Sequence, residues 1–170
     1  MKVTIMRFAR YHHAVSGKLL IDGQLVCGTL ENADRMLPVG DYELGHDPRR
    51  LTTPFYIKGN ASSKNASSKN ASGKNASGKN ASSKNASSEK PSVGDRGKYL
   101  KRVLLSPGNG VEGRKKQGRI LLGETLYLGF LVHSQEAYEQ VTDRLRMQLQ
   151  QRNCAVAVLI RQSEDYFEVA

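Results

Sequence analysis

Short alternating segments, rather than long apolar faces, make up most of this chain. Residues 2–8 set Val3, Ile5 and Arg7 on one side and Thr4, Met6 and Phe8 on the other, the period of two that marks a strand. Residues 18–21 and 24–30 flank Asp22-Gly23. Asp-Gly between apolar runs predicts a hairpin with a type I′ turn, because that turn needs positive φ at both central residues. Pro38-Val39-Gly40-Asp41 predicts a second turn leading into a strand at 42–44, and Asp47-Pro48-Arg49-Arg50 a third, basic turn before a strand at 55–57. Strand character returns at 98–105. Residues 126–132 are apolar around Gly129 and read as a strand or a tight connection.

One segment has a different period. Tyr138, Val141, Leu145 and Leu149 recur at helical spacing with charges between them, so 135–152 is predicted helical, with Ser134 as its N-cap. The run 154–160 is β-rich and apolar and reads as a central strand; 166–169 adds an edge strand. The predicted fold is therefore α+β: mainly antiparallel β, a small barrel or sandwich, with one long helix near the C-terminus.

Between the strands at 55–57 and 98–105 the pattern stops. Residues 59–90 are a pentad repeat, NASSK, NASSK, NASGK, NASGK, NASSK, NASSE, with no apolar side chain larger than Ala. Such a segment has nothing to bury and is expected to be a disordered, flexible coil inserted at a loop tip, where added length costs little closure entropy. Its N-A-S sequons follow automatically from the repeat. The expected organisation is one domain, 1–58 with 91–170, interrupted by this insert.

Much of the positive charge lies in the insert. The net charge is +10, of which +5 belongs to the insert, with six Lys against one Glu; the rest has 20 Lys and Arg against 15 Asp and Glu. The folded part is only moderately basic. No apolar stretch reaches the roughly 20 residues of a membrane helix, and the N-terminus carries no signal-peptide pattern, so no membrane insertion and a cytoplasmic location are expected. Cys27 and Cys154 lie in apolar strand-like runs and read as buried small hydrophobes, with a disulfide between them left open. His12-His13 has no acidic or Cys partner nearby in sequence, so neither a metal nor a cofactor is expected.

The stretch 102–124 carries the candidate chemistry. Two apolar runs flank a loop rich in Gly and positive charge, with Gly108, Asn109, Arg114, Lys115, Lys116 and Arg119. Its glycines fit no phosphate-binding motif. Ser106 with His133 as base has no nucleophile elbow to support it. Glu31 and Asp34 read as part of a salt-bridged turn beside Arg35.

Four stretches together resemble a family of unassigned function found in bacteria, especially Bacteroides relatives, and in phages. Thr29-Leu30-Glu31 with Asp34-Arg35 resembles its T-L-E-D-x-x-R; Leu37-Pro38-Val39-Gly40-Asp41-Tyr42 resembles I-P-x-G-x-Y. Gly108-Asn109 with Gly118-Arg119-Ile120-Leu121-Leu122-Gly123 resembles I-H-x-G-N followed by G-C-I-L-x-G, and Ser134 through Leu145 resembles a terminal S-R-x-x-F-x-x-L helix. The H-x-G-N…G-C-I segment is itself similar to the active-site motif of L,D-transpeptidases, which use a Cys thiolate, a His base and backbone oxyanion donors. In this chain Ser106 stands at the His position and Arg119 at the Cys position. A guanidinium offers neither a nucleophile nor a base. The resemblance thus implies a non-catalytic member, with Ser106, Gly108, Asn109, Arg114, Lys115, Lys116 and Arg119 available to bind an anionic or cell-wall peptide ligand such as peptidoglycan. The alternatives are a nucleic-acid-binding basic protein, resting on Arg49-Arg50, Lys98, Lys101-Arg102 and Arg114–Lys116, and a structural protein of a phage or mobile element.

Overall fold

The computed structural model describes residues 1–58, 102–109, 118–152 and 155–169. The pentad repeat, residues 98–101, Arg114–Lys116 and Cys154 lie outside them. Among the described residues the chain forms β1 (Lys2–Tyr11), β2 (Ala14–Ile21), β3 (Gln24–Asn32), β4 (Gly40–His46), β5 (Phe55–Lys58), β6 (Arg102–Pro107), β7 (Arg119–Tyr127), β8 (Phe130–Val132), α1 (Ser134–Arg152) and β9 (Ala157–Val169).

The expected α+β class is the class observed, and the sheet is a barrel rather than a sandwich. Its order is β3-β2-β1-β9-β4-β5-β6-β7, and β3 pairs back onto β7 to close it. Two of the eight pairings, β1 with β9 and β6 with β7, are parallel; the other six are antiparallel. Closure leaves no edge strand within the ring, which removes the exposed row of backbone donors and acceptors an open sheet presents. β9 runs as one strand through 157–169, between β1 and β4, so 166–169 is not an edge. The reason is an irregularity: Arg7 pairs with Gln162 and Ala9 with Phe167, so β9 makes an excursion at 163–166 while β1 bulges only at Phe8.

The turns follow their residues. Asp22 and Gly23 take φ of 49° and 83°, the type I′ signature. His12-His13 makes a second two-residue hairpin between Tyr11 and Ala14. Asp47 closes the basic turn by accepting from Arg49 N at 3.2 Å through its side chain and from Arg50 N at 3.1 Å through its carbonyl.

The core fills the barrel. Val3, Ile5, Leu19, Ile21, Phe55, Ile57, Val103, Leu105, Ile120, Leu122, Val158 and Ile160 point inward, and Ala137, Tyr138, Val141 and Leu145 of α1 join the same buried cluster. The helix therefore packs its apolar stripe against β3, β6 and β7 as part of this core, and truncating a buried residue such as Leu145 to Ala would cost about 2–5 kcal/mol. A second cluster, Ala14, Leu30, Leu121 and Leu131, lies on the outer face of β2, β3 and β7 beneath β8. This explains the unbroken run Ile120-Leu121-Leu122: β7 is covered on both faces, so alternation is lost there.

Within the apolar interior, among the described residues, sits a buried ion pair. Arg7 follows Val3 and Ile5 on the inward face, and its guanidinium meets Glu31 of β3 in a two-pronged contact, Nε to Oε1 at 2.9 Å and Nη2 to Oε2 at 2.7 Å. The two side chains are 3% and 2% exposed. The partner of Glu31 is thus Arg7, not the turn residue Arg35, and Asp34 instead lies 3.3 Å from His13. Burial pushes the Tyr42 phenol up, with Arg7 pulling it down and Glu31 pushing it up, which places that ring within the field of the pair. Glu31→Ala would strand a buried guanidinium and should lower the unfolding free energy by about 3–5 kcal/mol in urea titrations. The double replacement Arg7→Met with Glu31→Leu should recover most of that loss.

Candidate functional site

The hairpin β7–β8 and the start of α1 build one side of the site. Glu124 pairs with Val132 across the hairpin, so the next residue, His133, stands beside the Glu124 carboxylate. Nδ1 of His133 lies 2.9 Å from Oε2 of Glu124. His133 adopts φ of 48°, turning the chain from strand to helix, and its carbonyl accepts from Ala137 N at 3.2 Å. His133 thereby holds the cap position, one residue before the predicted Ser134. The Ser134 amide is instead satisfied from afar: Asn109 Oδ1, at the end of β6, accepts from it at 3.0 Å. A side-chain acceptor on a helix's first-turn amide is what an N-cap supplies, here contributed by a residue 25 positions upstream.

The other side comes from β2 and β3. Together they enclose a cleft of about 590 Å³ between the β3–β7 seam and α1. Leu25, Val26, Cys27 and Ala137 give it apolar surface, Gly28 and Gly123 face each other across the seam, and Lys18, Glu124, His133 and Glu136 carry charge. The glycines are required by close packing: a Cβ on Gly123 would stand 2.9 Å from the Val132 carbonyl oxygen.

Cys27 is a free, buried thiol. Burial pushes its pKa up to about 12, against a smaller downward pull from its hydrogen bond with the Gly123 backbone. It is therefore protonated near neutrality and is no nucleophile. The His133 imidazole is shifted the other way in charge preference: the hydrogen bond to Glu124 and that carboxylate's field raise its pKa above 6.5. With the folded value raised, the stabilisation from this pair is present at low pH and fades as pH rises through the folded pKa. Among the described residues no group of His, Cys, Asp and Glu is arranged to hold a metal ion.

The sequence-chosen residues fall mostly beside this cleft rather than in it. Ser106 and Arg119 lie on adjacent parallel strands, Ser106 opposite Leu121 and Arg119 opposite Leu104. Ser106 alternates with the core residues Val103 and Leu105 and so points to the outer face. It is buried there, and its Oγ has no hydrogen-bond partner among the described residues. It makes no bond to His133, whose ring is engaged with Glu124. Gly108 lies against Leu121: a Cβ there would be 2.8 Å from the Leu121 side chain. Asn109 has a defined task, joining the loop's root to the start of α1. Arg119 is partly exposed at the start of β7. Arg114, Lys115 and Lys116 are outside the described residues.

Lys18, Glu124, His133 and Glu136 were not singled out as a group by sequence. The available signals were weak: Glu124 ends the apolar run of β7, and His133 precedes a helix. Only the β3–β7 register brings β3 beside them.

Comparison with protein-family models, with curated proteins and with solved structures gives no match for this chain.

Two outcomes follow from the site's chemistry. Cys27 should resist alkylation in the native protein at pH 7–8 and react fully in denaturant, followed by mass spectrometry. In an NMR titration, the His133 ring should lose its proton at a lower pH in Glu124→Gln than in the parent protein.

Proposed function

We propose that this chain is a non-catalytic ligand-binding barrel, a member of the bacterial and phage family its motifs resemble, and that it takes a short peptide-like ligand of the cell-wall kind. The observation that carries this reading is the cleft of about 590 Å³ beside α1. Its size is that of a small-molecule site, and its mixture of apolar wall with a few convergent polar groups is the usual composition of one. Lys18 can meet a carboxylate, Glu124 and Glu136 an ammonium group, and Leu25, Val26 and Ala137 an aliphatic side chain. A peptide carries all three.

The basic loop belongs to the same reading. Asn109 fixes its first end to Ser134, next to the cleft residue His133. Arg114, Lys115 and Lys116 follow in the sequence as cations of the type that pairs with a peptide carboxylate, while Arg119 stands at the start of β7, beside the cleft. A binding rather than catalytic role is supported by Ser106 and Arg119 at the two reactive positions of the resembled motif, and by the protonated state of Cys27.

Nucleic-acid binding has less behind it. Two of the basic residues on the β4–β6 face are already paired, Lys58 with Glu43 at 3.1 Å and Arg102 with Asp47 at 3.8 Å. Paired cations release fewer counterions from a phosphate backbone. The full chain should co-sediment with purified peptidoglycan sacculi at both physiological and high salt. Gln140→Trp, an exposed substitution at the cleft wall, should reduce retention several-fold. Retention that is unaffected by this substitution and disappears with salt would mark a polycation effect and overturn the reading.

A further inference from the structure

The Glu124–His133 pair is exposed on both sides, at 68% and 69%, although it lines the cleft. Exposed pairs of this kind hold together weakly, so a competing cation can replace one member. Lys18 of β2 contributes +1, and Glu124 of β7 and Glu136 of α1 contribute −1 each. With His133 protonated, the four groups sum to zero; with His133 neutral, they sum to −1. Cys27 of β3, the remaining titratable group on the wall, stays a neutral thiol. The cation held next to Glu124 is His133, at 2.9 Å, a group able to discharge itself near neutral pH.

The position of His133 makes the exchange local. Its backbone is fixed by the left-handed turn into α1 and by the Asn109 contact to the next residue. Its ring is exposed and can swing away from Glu124 without disturbing the core. The hairpin register with Val132 fixes the Glu124 backbone opposite it.

We propose that Glu124 is the anchor for the ammonium group of the ligand, and that His133 occupies that anchor in the free protein as a stand-in cation. Binding an ammonium-bearing peptide displaces the imidazolium, which gives its proton to solvent. This inference rests on the cleft being the peptide site. It adds that the ligand must present a free amine and that binding strengthens as pH rises while the ligand's ammonium persists.

The test is NMR on the full chain, with trialanine and N-acetyl-trialanine as probes. Trialanine is expected to shift signals of Val26 and Gln140 and to lower the pH at which His133 loses its proton. The acetylated probe should bind about two- to fivefold more weakly and leave the His133 titration unchanged. Glu124→Gln should abolish the preference between the two probes. Equal binding of both probes at the cleft, or an unchanged His133 titration with trialanine bound, would overturn the ammonium anchor and leave the cleft reading intact. If neither probe moves a cleft residue, both fall.

Discussion

The pairing of β3 with β7 is the constraint on which the rest of the molecule depends. It turns a row of eight strands into a ring, with Gly28 opposite Gly123 and Glu31 opposite Ile120. A closed ring fixes which residues face inward all the way round, because each strand's register is now set from both sides. Without that seam Cys27 would not lie beside Gly123, and the cleft would have no floor. The glycines make the seam possible at the point where β8 folds back over it, since a side chain at Gly123 would collide with the Val132 carbonyl and Leu131.

The interior divides its work between an apolar cluster and a polar tie. α1 adds Tyr138, Val141 and Leu145 to the apolar cluster of the strands, while Arg7 and Glu31 join β1 to β3 across β2. The tie is a poor source of net stability, because desolvating two charges offsets most of their attraction. It is stronger as a device for specifying register: a slip of one residue in β1 or β3 would turn one charge outward and leave the other buried alone. The outer cluster around Leu121 then holds β8 in place. β8 in turn delivers His133 to Glu124 and α1 to its entry point.

The proposed site lies at a junction. Loops and element ends carry binding groups because the scaffold holds them while leaving them accessible. Here the residue Asn109 just past β6, Glu124 of β7 and the beginning of α1 converge, Asn109 bonded to Ser134 and Glu124 to His133. The motif positions Ser106 and Arg119 lie on the strands that lead into it, facing outward rather than into the cleft.

What the sequence determined by itself was local. Asp22-Gly23 dictates its turn, because few other pairs tolerate positive φ twice. The spacing of Tyr138, Val141 and Leu145 dictates a helix with one buried face. Alternation from Val3 to Arg7 dictates a strand and even puts Arg7 on the inward side. Each of these depends on residues within a few positions of one another, so it can be read directly. The tertiary structure decided everything that joins distant positions: barrel over sandwich, the parallel pairings of β1 with β9 and β6 with β7, Glu31 as the partner of Arg7, and Asn109 as the acceptor for the first amide of a helix 25 positions downstream. It also decided that 157–169 is a single strand, since an excursion in one strand is visible only against its neighbour. The physical reason is the same in each case. Register between strands is a property of the closed sheet, set by which side chains can share one interior, and no window along the chain contains that information.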